Sequence, residues 1–492
     1  MKCVEGQRQS FESSQTLQGS LTIAIETRRP RTWLRPADIK DVEMLDNRLD
    51  YLDQASYLCA RATGREQCIQ GIWIYDRPIE LEGLRRFHDN LGYGLVGRRI
   101  ERSPLPFGRH RWVSSPGPAS PLDFCEPRPR SELSDWIDER SQMTVDPEFG
   151  PGWHVGVLPM TDGSTAVSLV ISHSLADGTG GVLTVVEAAL GVRRVIDYPQ
   201  PQSRPRLRGM VADARDTVRD TPQIGRALAG AAGLAARTVR EWSPEKVSAP
   251  KKFVDTGEVV VLPAIDVVVD IDAWDACAAE RHGNSYSLLA ALSARLGARM
   301  GRVRADTGEV TLMVALSDRT LKDTRAHAMS FVNVRIDPTQ VTVDQMAART
   351  TIRGALKKLR DRGEQASHDD AFGLLALTPF TPKRAVRGAA SLAFGFDDQT
   401  VTCSNMGDLF PEYARIDGTD ADYVLARGVD QGVKRVDIER AGGQLVLVAA
   451  RAVGRVSIGI VAYQCGAENT PGWLRTLTAD SLDEFGLKAQ II

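Results

Sequence analysis

Residues 172–181 read SHSLADGTGG, Ser172 to Gly181. The run TAVSLVI, Thr165 to Ile171, leads into them, and GGVLTVVEAALGV follows. The first run is short, apolar and rich in β-branched residues, as a buried strand is, and the second predicts a helix opening after the glycines. The local order is therefore a strand, a tight turn holding a histidine and Asp-Gly, and a helix. Just upstream, GWHVGVLPM and TAVSLVIS flank TDGS, and two apolar runs around Asp-Gly predict a hairpin. A histidine held at the end of a rigid strand can take and return a proton near neutrality. Asp177 can fix the turn through an ion pair, and Gly178, Gly180 and Gly181 let the backbone bend where side chains would clash. The pattern HxxxDG alone leaves two readings open: His173 as a base facing a cleft, or a structural histidine beside an ordinary helix start.

The surrounding chain has 492 residues, more than one ordinary core accommodates, so two or more domains are expected. It is 42% apolar and 25% charged, as globular proteins are. The net charge of −2 and the lack of a recognition motif give no support to nucleic-acid binding. Seven cysteines (Cys3, Cys59, Cys68, Cys125, Cys277, Cys403 and Cys465) are scattered without a CxxC pair. Reduced structural thiols and a cytoplasmic location are expected, and a zinc site is not. The N-terminus lacks an apolar signal-peptide core, and no stretch supplies the roughly 20 apolar residues of a membrane span.

Four segments are expected. Residues 1–35 form a flexible polar tail, 36–195 a first α/β lobe, 196–250 a basic crossover and 251–492 a second α/β lobe. In the first lobe CIQGIWIYDRPI predicts a strand and ELEGLRRFHDNLGYG an amphipathic helix. The crossover opens on the proline- and arginine-rich IDYPQPQSRPRLRG, and residues 204–240 hold eight arginines against three aspartates. This patch is either a solvated helix face or a basic surface attracting anionic lipid headgroups or a phosphorylated cofactor. In the second lobe EVVVLPAIDVVVDIDAW predicts strands, NSYSLLAALSARLGARM a helix with a capping opening, and EVTLMVALSDR a buried strand ending in charge. QTVTCSNMG predicts a strand running into a polar turn, and RVDIERAGGQLVLVAARAVGRVSIGIVAY a terminal antiparallel meander.

The stretch around His173 resembles the HxxxDG motif of the CoA-dependent acyltransferase superfamily. That group includes chloramphenicol acetyltransferase, carnitine and plant acyltransferases, and the condensation domains of peptide synthetases. The chain is most similar to the bacterial wax ester synthase/diacylglycerol acyltransferase family, over roughly residues 40 to 465. PGWHVGVLPMTDGSTAVSLVISHSLADG resembles that branch's PLW strand, hairpin and catalytic strand. GNSYSLLAALSARL resembles its ND helix, MVALSDR its strand ending in Ser-x-Arg, and CSNMG its late SN turn. The resemblance implies that His173 is the general base, and that Asp177 is structural and paired with Arg319. It implies that Gly178 keeps the turn open, and that Asn405 with Ser404 lies near the tetrahedral oxyanion. The bland alternatives are a strand-end arginine at the surface and an asparagine that only satisfies turn backbone.

Three positions depart from the branch's pattern. Ser172 replaces the first of two adjacent histidines, Ser285 follows Asn284 where the helix motif has aspartate, and His154 replaces an acid. His154 is expected to be structural. The implied fold is α/β, two chloramphenicol-acetyltransferase-like lobes in one chain with a tunnel between them. The implied activity is transfer of a fatty acyl group from acyl-CoA to a lipid alcohol, giving a triacylglycerol- or wax-type ester. Acyl-CoA is then a co-substrate, with no bound cofactor or metal. A peripheral membrane or lipid-droplet surface is the further partner that the basic crossover suggests. A thioester is already activated, so one positioned base, oxyanion donors and alignment suffice without an enzyme nucleophile. No GxSxG elbow is present. Two rivals are a condensation-type enzyme using a carrier-protein thioester to make an ester or amide, and a catalytically degenerate binding or scaffold protein.

Overall fold

The hairpin around Thr161–Gly163 joins β5 (Trp153–Pro159) to β6 (Thr165–Ser172), with Trp153 opposite Ile171 and Pro159 opposite Thr165. Every residue of β6, which β1 (Glu66–Tyr75) flanks antiparallel on the other side, is buried, because both of its faces are covered: Val167, Leu169 and Ile171 pack in one core with Trp153 and Leu175, and Ala166 and Val170 in others with Trp136 and Val429. A strand covered on both faces is apolar on both, which is why TAVSLVIS shows no alternation. The computed structural model describes residues 46–241, 256–362, 371–382 and 399–492. The tail expected over residues 1–35 and the last part of the expected crossover lie outside the described residues.

Two larger sheets carry the two lobes. The first has the order β11-β1-β6-β5-β4, with β4 at Asp123–Phe124 and β11 at Tyr423–Gln431. The second has the order β14-β7-β13-β12-β10-β8-β9. Its members are β7 (Ala264–Asp270), β8 (Val310–Ser317), β9 (Met329–Ile336), β10 (Val401–Asp408), β12 (Gln444–Ala452), β13 (Arg455–Tyr463) and β14 (Gln490–Ile491). A small ribbon pairs β2 (Arg98–Glu101) with β3 (Arg111–Ser114). The architecture is mixed α/β in two lobes.

β11 comes from the C-terminal half yet pairs antiparallel with β1, from Glu66 opposite Gln431 to Ile74 opposite Tyr423. It thereby fastens the late chain to the first sheet. Arg427 on β11 is fully buried between Asp266 of β7 and Asp138 of the helix Leu133–Ser141, each at 2.6 Å. Gly459 of β13 faces β11 so closely that a Cβ there would stand 2.3 Å from the Ala426 carbonyl oxygen. The two sheets are thus joined by backbone contact and a buried ion cluster.

The helix Ser285–Arg299 sits in the second core with Leu288, Leu289, Leu292 and Leu296 fully buried. Asn284 caps it: its side chain accepts from Ser287 N at 2.9 Å, while Ser287 Oγ accepts from Asn284 N at 2.8 Å. Asn284→Ala is expected to cost about 1 kcal/mol by denaturant titration, without moving activity. A loss of activity at unchanged stability would contradict a capping role.

Three local expectations are corrected. Arg435–Arg440 is a short helix rather than the first strand of the meander, because the chain turns there from the first sheet to the second, through Gly432, Gly442 and Gly443 at positive φ. The strand reading holds only for the β12–β13 hairpin, and β13 continues onto β7. Ser404 and Asn405 lie within β10, paired in parallel with Val448 and Ala449 of β12, and the register breaks only between Asn405 and Asp408. In EVVVLPAIDVVVDIDAW only Ala264–Asp270 is a strand of the sheet; Val259 makes an isolated bridge to Lys434.

Candidate functional site

His173 is the first residue beyond β6 and is partly exposed. Its backbone N–H bonds to Gln67 O of β1 at 2.8 Å, so the sheet fixes its main chain. Ser172 Oγ donates to Glu66 Oε1 at 2.5 Å and accepts from Ser174 N at 3.2 Å. The residue that replaces a histidine of the resembling family therefore ties the turn to β1.

Asp177 is fully buried and caps the helix Gly178–Ala189, accepting from Gly180 N at 2.7 Å. Arg319, two residues past β8, grips the same carboxylate with two prongs, Nη2 to Oδ2 at 2.7 Å and Nε to Oδ1 at 3.1 Å. Asp177 Oδ2 also accepts from Ala328 N at 2.8 Å, and Asp177 N donates to Ala326 O at 2.8 Å. Arg319 Nη2 donates to that same Ala326 carbonyl at 2.8 Å. The turn of the first lobe is thus bound along both edges to the β8–β9 loop of the second. Arg98, itself buried and stacked 3.6 Å over Trp112, donates to Leu175 O at 2.9 Å and to Thr324 O.

Gly178 faces β10: a Cβ there would meet Met406 Sδ at 3.0 Å. A side chain there would make Met406 give way by a few tenths of an ångström. Asn405, next to Met406, spends its Oδ1 on Gly407 N at 2.8 Å, where the backbone turns to φ +69°. Among the described residues, the structure places no hydrogen bond between Asn405 or Ser404 and His173. Asn284 belongs to the helix cap and not to this cluster. His154 lies on β5 between Arg140 Nη2 at 3.1 Å and Met143 O at 3.2 Å, and burial, with Arg140 beside it, lowers its pKa to about 4.

The structure adds two residues that the sequence did not single out. His327, in the loop that Asp177 and Arg319 hold, places Nε2 3.1 Å from His173 Nδ1, with the ring planes within 21° of each other. Its Nδ1 lies 3.0 Å from Asp53 Oδ1, on the helix Tyr51–Thr63. Asp53 also accepts from His327 N at 2.8 Å and from Ala326 N at 2.9 Å. Burial pushes the Asp53 carboxyl up, but the His327 hydrogen bond, with the two backbone N–H groups, outweighs it and holds the pKa below its ordinary value. Burial, then the neighbouring His327, lowers the His173 pKa to about 4, against partial attraction from Asp177. His173 is therefore a neutral imidazole at neutral pH, able to accept a proton.

No family model and no curated protein sequence matches the chain. Solved structures do. The first condensation domain of the CDA synthetase is 14% identical with a TM-score of 0.51, over 90% of this chain and 97% of that one. The condensation domain of the monacolin K polyketide synthase is 11% identical at 0.50, over 90% and 97%. A wax ester synthase/diacylglycerol acyltransferase from Marinobacter aquaeolei VT8 is 13% identical at 0.49, over 89% and 98%. At these identities the likeness to the two condensation domains defines a class of fold: the chain has the two-lobed condensation-domain fold over 90% of its length.

Proposed function

We propose that the protein is an acyl-CoA-dependent O-acyltransferase that esterifies a lipid alcohol, with His173 as general base. One observation carries this reading. A histidine stands at the joint of the two lobes, with its Nδ1 engaged and its turn locked by Asp177 and Arg319. Nδ1 is occupied, so Nε2 is the atom that takes the proton from the acceptor hydroxyl. The hydroxyl oxygen forms its bond to the thioester carbonyl carbon as that proton leaves. The tetrahedral intermediate collapses, the C–S bond breaks, and His173 returns the proton from Nε2 to the departing thiolate. The thioester supplies the activation, so no residue of the chain is acylated. Asn405 is the proposed neighbour of the oxyanion, because β10 reaches the HxxxDG turn through Met406 against Gly178.

A lipid acceptor is supported by the helix Arg206–Arg219. Leu207, Val211 and Val218 lie along one stripe of it, 77%, 71% and 71% exposed. Exposed Arg208, Arg215 and Arg219 border this stripe, while Gly209 and Asp213 face the protein. An apolar stripe edged by arginine fits the surface of an anionic lipid layer. Among the described residues, no helix is long and apolar enough to cross a membrane. Arg208→Gln with Arg215→Gln is expected to weaken flotation with phosphatidylserine vesicles roughly 30-fold, taking about 1 kcal/mol per arginine. Unchanged, salt-insensitive binding would remove the lipid-surface role.

The test of the whole reading is a panel of donors. The same palmitoyl group is offered on CoA and on a carrier protein's pantetheine arm, with hexadecanol, diacylglycerol or a primary amine as acceptor. Ester formation from the CoA donor is expected. Turnover only from the carrier donor would make it a condensation-type enzyme, and none at all would leave a binding or scaffold protein.

A further inference from the structure

We infer that Asp53 and His327 form a positioning relay that fixes the tautomer and direction of the His173 imidazole, the relay spanning both lobes. This rests on the proposed role of His173. Asp53 Oδ1 can only accept, so His327 carries its proton on Nδ1, and its Nε2 presents a lone pair. That lone pair accepts from His173 Nδ1–H at 3.1 Å. The proton is thereby held on Nδ1 of His173, and the lone pair stands on Nε2, toward the acceptor.

The relay is a built feature. Asp53 and His327 are 1% and 7% exposed. Asp53 grips the backbone N–H groups of Ala326 and His327, while Asp177 and Arg319 hold Ala326 and Ala328 on either side. The loop that carries His327 thus cannot move away without breaking contacts to both carboxylates. When His173 becomes an imidazolium, its Nδ1–H stays on His327, and the Asp53 charge stands one ring away. No second proton moves.

The charged and titratable groups around His173 are His327 from the β8–β9 loop, Asp177 from its own turn and Asp430 from β11. Glu66 of β1 reaches the turn through Ser172 and Ser174.

Two near-isosteric variants separate the ends of the relay. In His327→Gln the side-chain carbonyl can reach the place of Nε2 and accept from His173. In His327→Asn the amide can reach Asp53 but not His173. The Gln variant is expected to stay within about tenfold of wild-type kcat, and the Asn variant to fall roughly 100-fold at unchanged KM, the loss a mispositioned group brings. Equal kcat in both variants would overturn the relay.

A readout without substrate keeps this apart from the acyltransferase reading. The chain has seven histidines, few enough for histidine-selective 15N spectra, with His173→Gln used to assign the signal. His173 is expected as the Nδ1–H tautomer in the wild type and as a mixture of tautomers in His327→Asn. The Nε2–H tautomer in the wild type would refute the relay even if acyl transfer were found. The expected pattern in a protein that transfers no acyl group would leave the relay standing and sink the reaction instead.

Discussion

His173→Ala is expected to lower kcat for acyl transfer by about 10²–10⁴-fold while leaving KM for the thioester and the melting transition in place. Alanine cannot take the acceptor's proton, so attack must proceed from the neutral hydroxyl, and what remains is alignment of the two substrates. The fold should survive, because the turn is held by groups other than the imidazole: Ser172 to Glu66, Asp177 to Arg319, and Arg98 to Leu175. The wild-type pH profile belongs to the same expectation. A base whose pKa is lowered to about 4 stays unprotonated from neutral pH down through pH 5, and its activity falls only as the pH approaches 4. Steady-state kinetics between pH 4 and 8 on both proteins check this. Equal rates would make His173 a structural residue.

Arg319→Ala is expected to destabilise the protein by about 3–5 kcal/mol, because it leaves the Asp177 carboxylate buried without its counter-charge. Both side chains are almost wholly inaccessible, 1% and 0% exposed, and the pairing is two-pronged. The same guanidinium holds the carbonyls of Arg325 and Ala326, so its loss also loosens the loop that carries His327. Activity should therefore fall together with stability. Arg319→Lys keeps the charge but not the planar fork, and is expected to fall between wild type and alanine. Denaturant titrations of the three proteins measure this. An alanine variant as stable as the wild type would mean that Asp177 is adequately held by its backbone donors alone.

The local part of the site was legible, and its long-range part was not. The hairpin, β6 and the HxxxDG turn follow from periodicity and glycine placement within thirty residues, and the chain does run strand, turn, helix there. The partnership of Asp177 with Arg319 came from the order of motifs that resemble one family, and the geometry joins the two side chains. Asn284 carried a capping pattern, and a cap is what it makes.

β11 had no comparable signal: its partner β1 lies some 350 residues earlier, and no local pattern encodes such a pairing. The relay was hidden for the same reason. Asp53, His173 and His327 come from a helix, a strand end and a loop, and share no spacing. The one available hint was scarcity. With seven histidines in 492 residues, a lone histidine just after the Ser-x-Arg strand was a candidate to weigh. Ser404 and Asn405 misled in the opposite way. Small polar residues suggest a turn, but β12 supplies a parallel partner that keeps them extended.

The measurement closest to the central claim is ester formation from palmitoyl-CoA with hexadecanol or diacylglycerol, quantified by mass spectrometry together with free CoA thiol. Wild type and His173→Ala are run side by side at equal concentration. Ester and thiol appearing in equal amounts with the wild type, and both collapsing in the variant, is the expected result. Equal formation by the two proteins, or thiol release that does not depend on an acceptor, would contradict a general-base acyltransferase at His173.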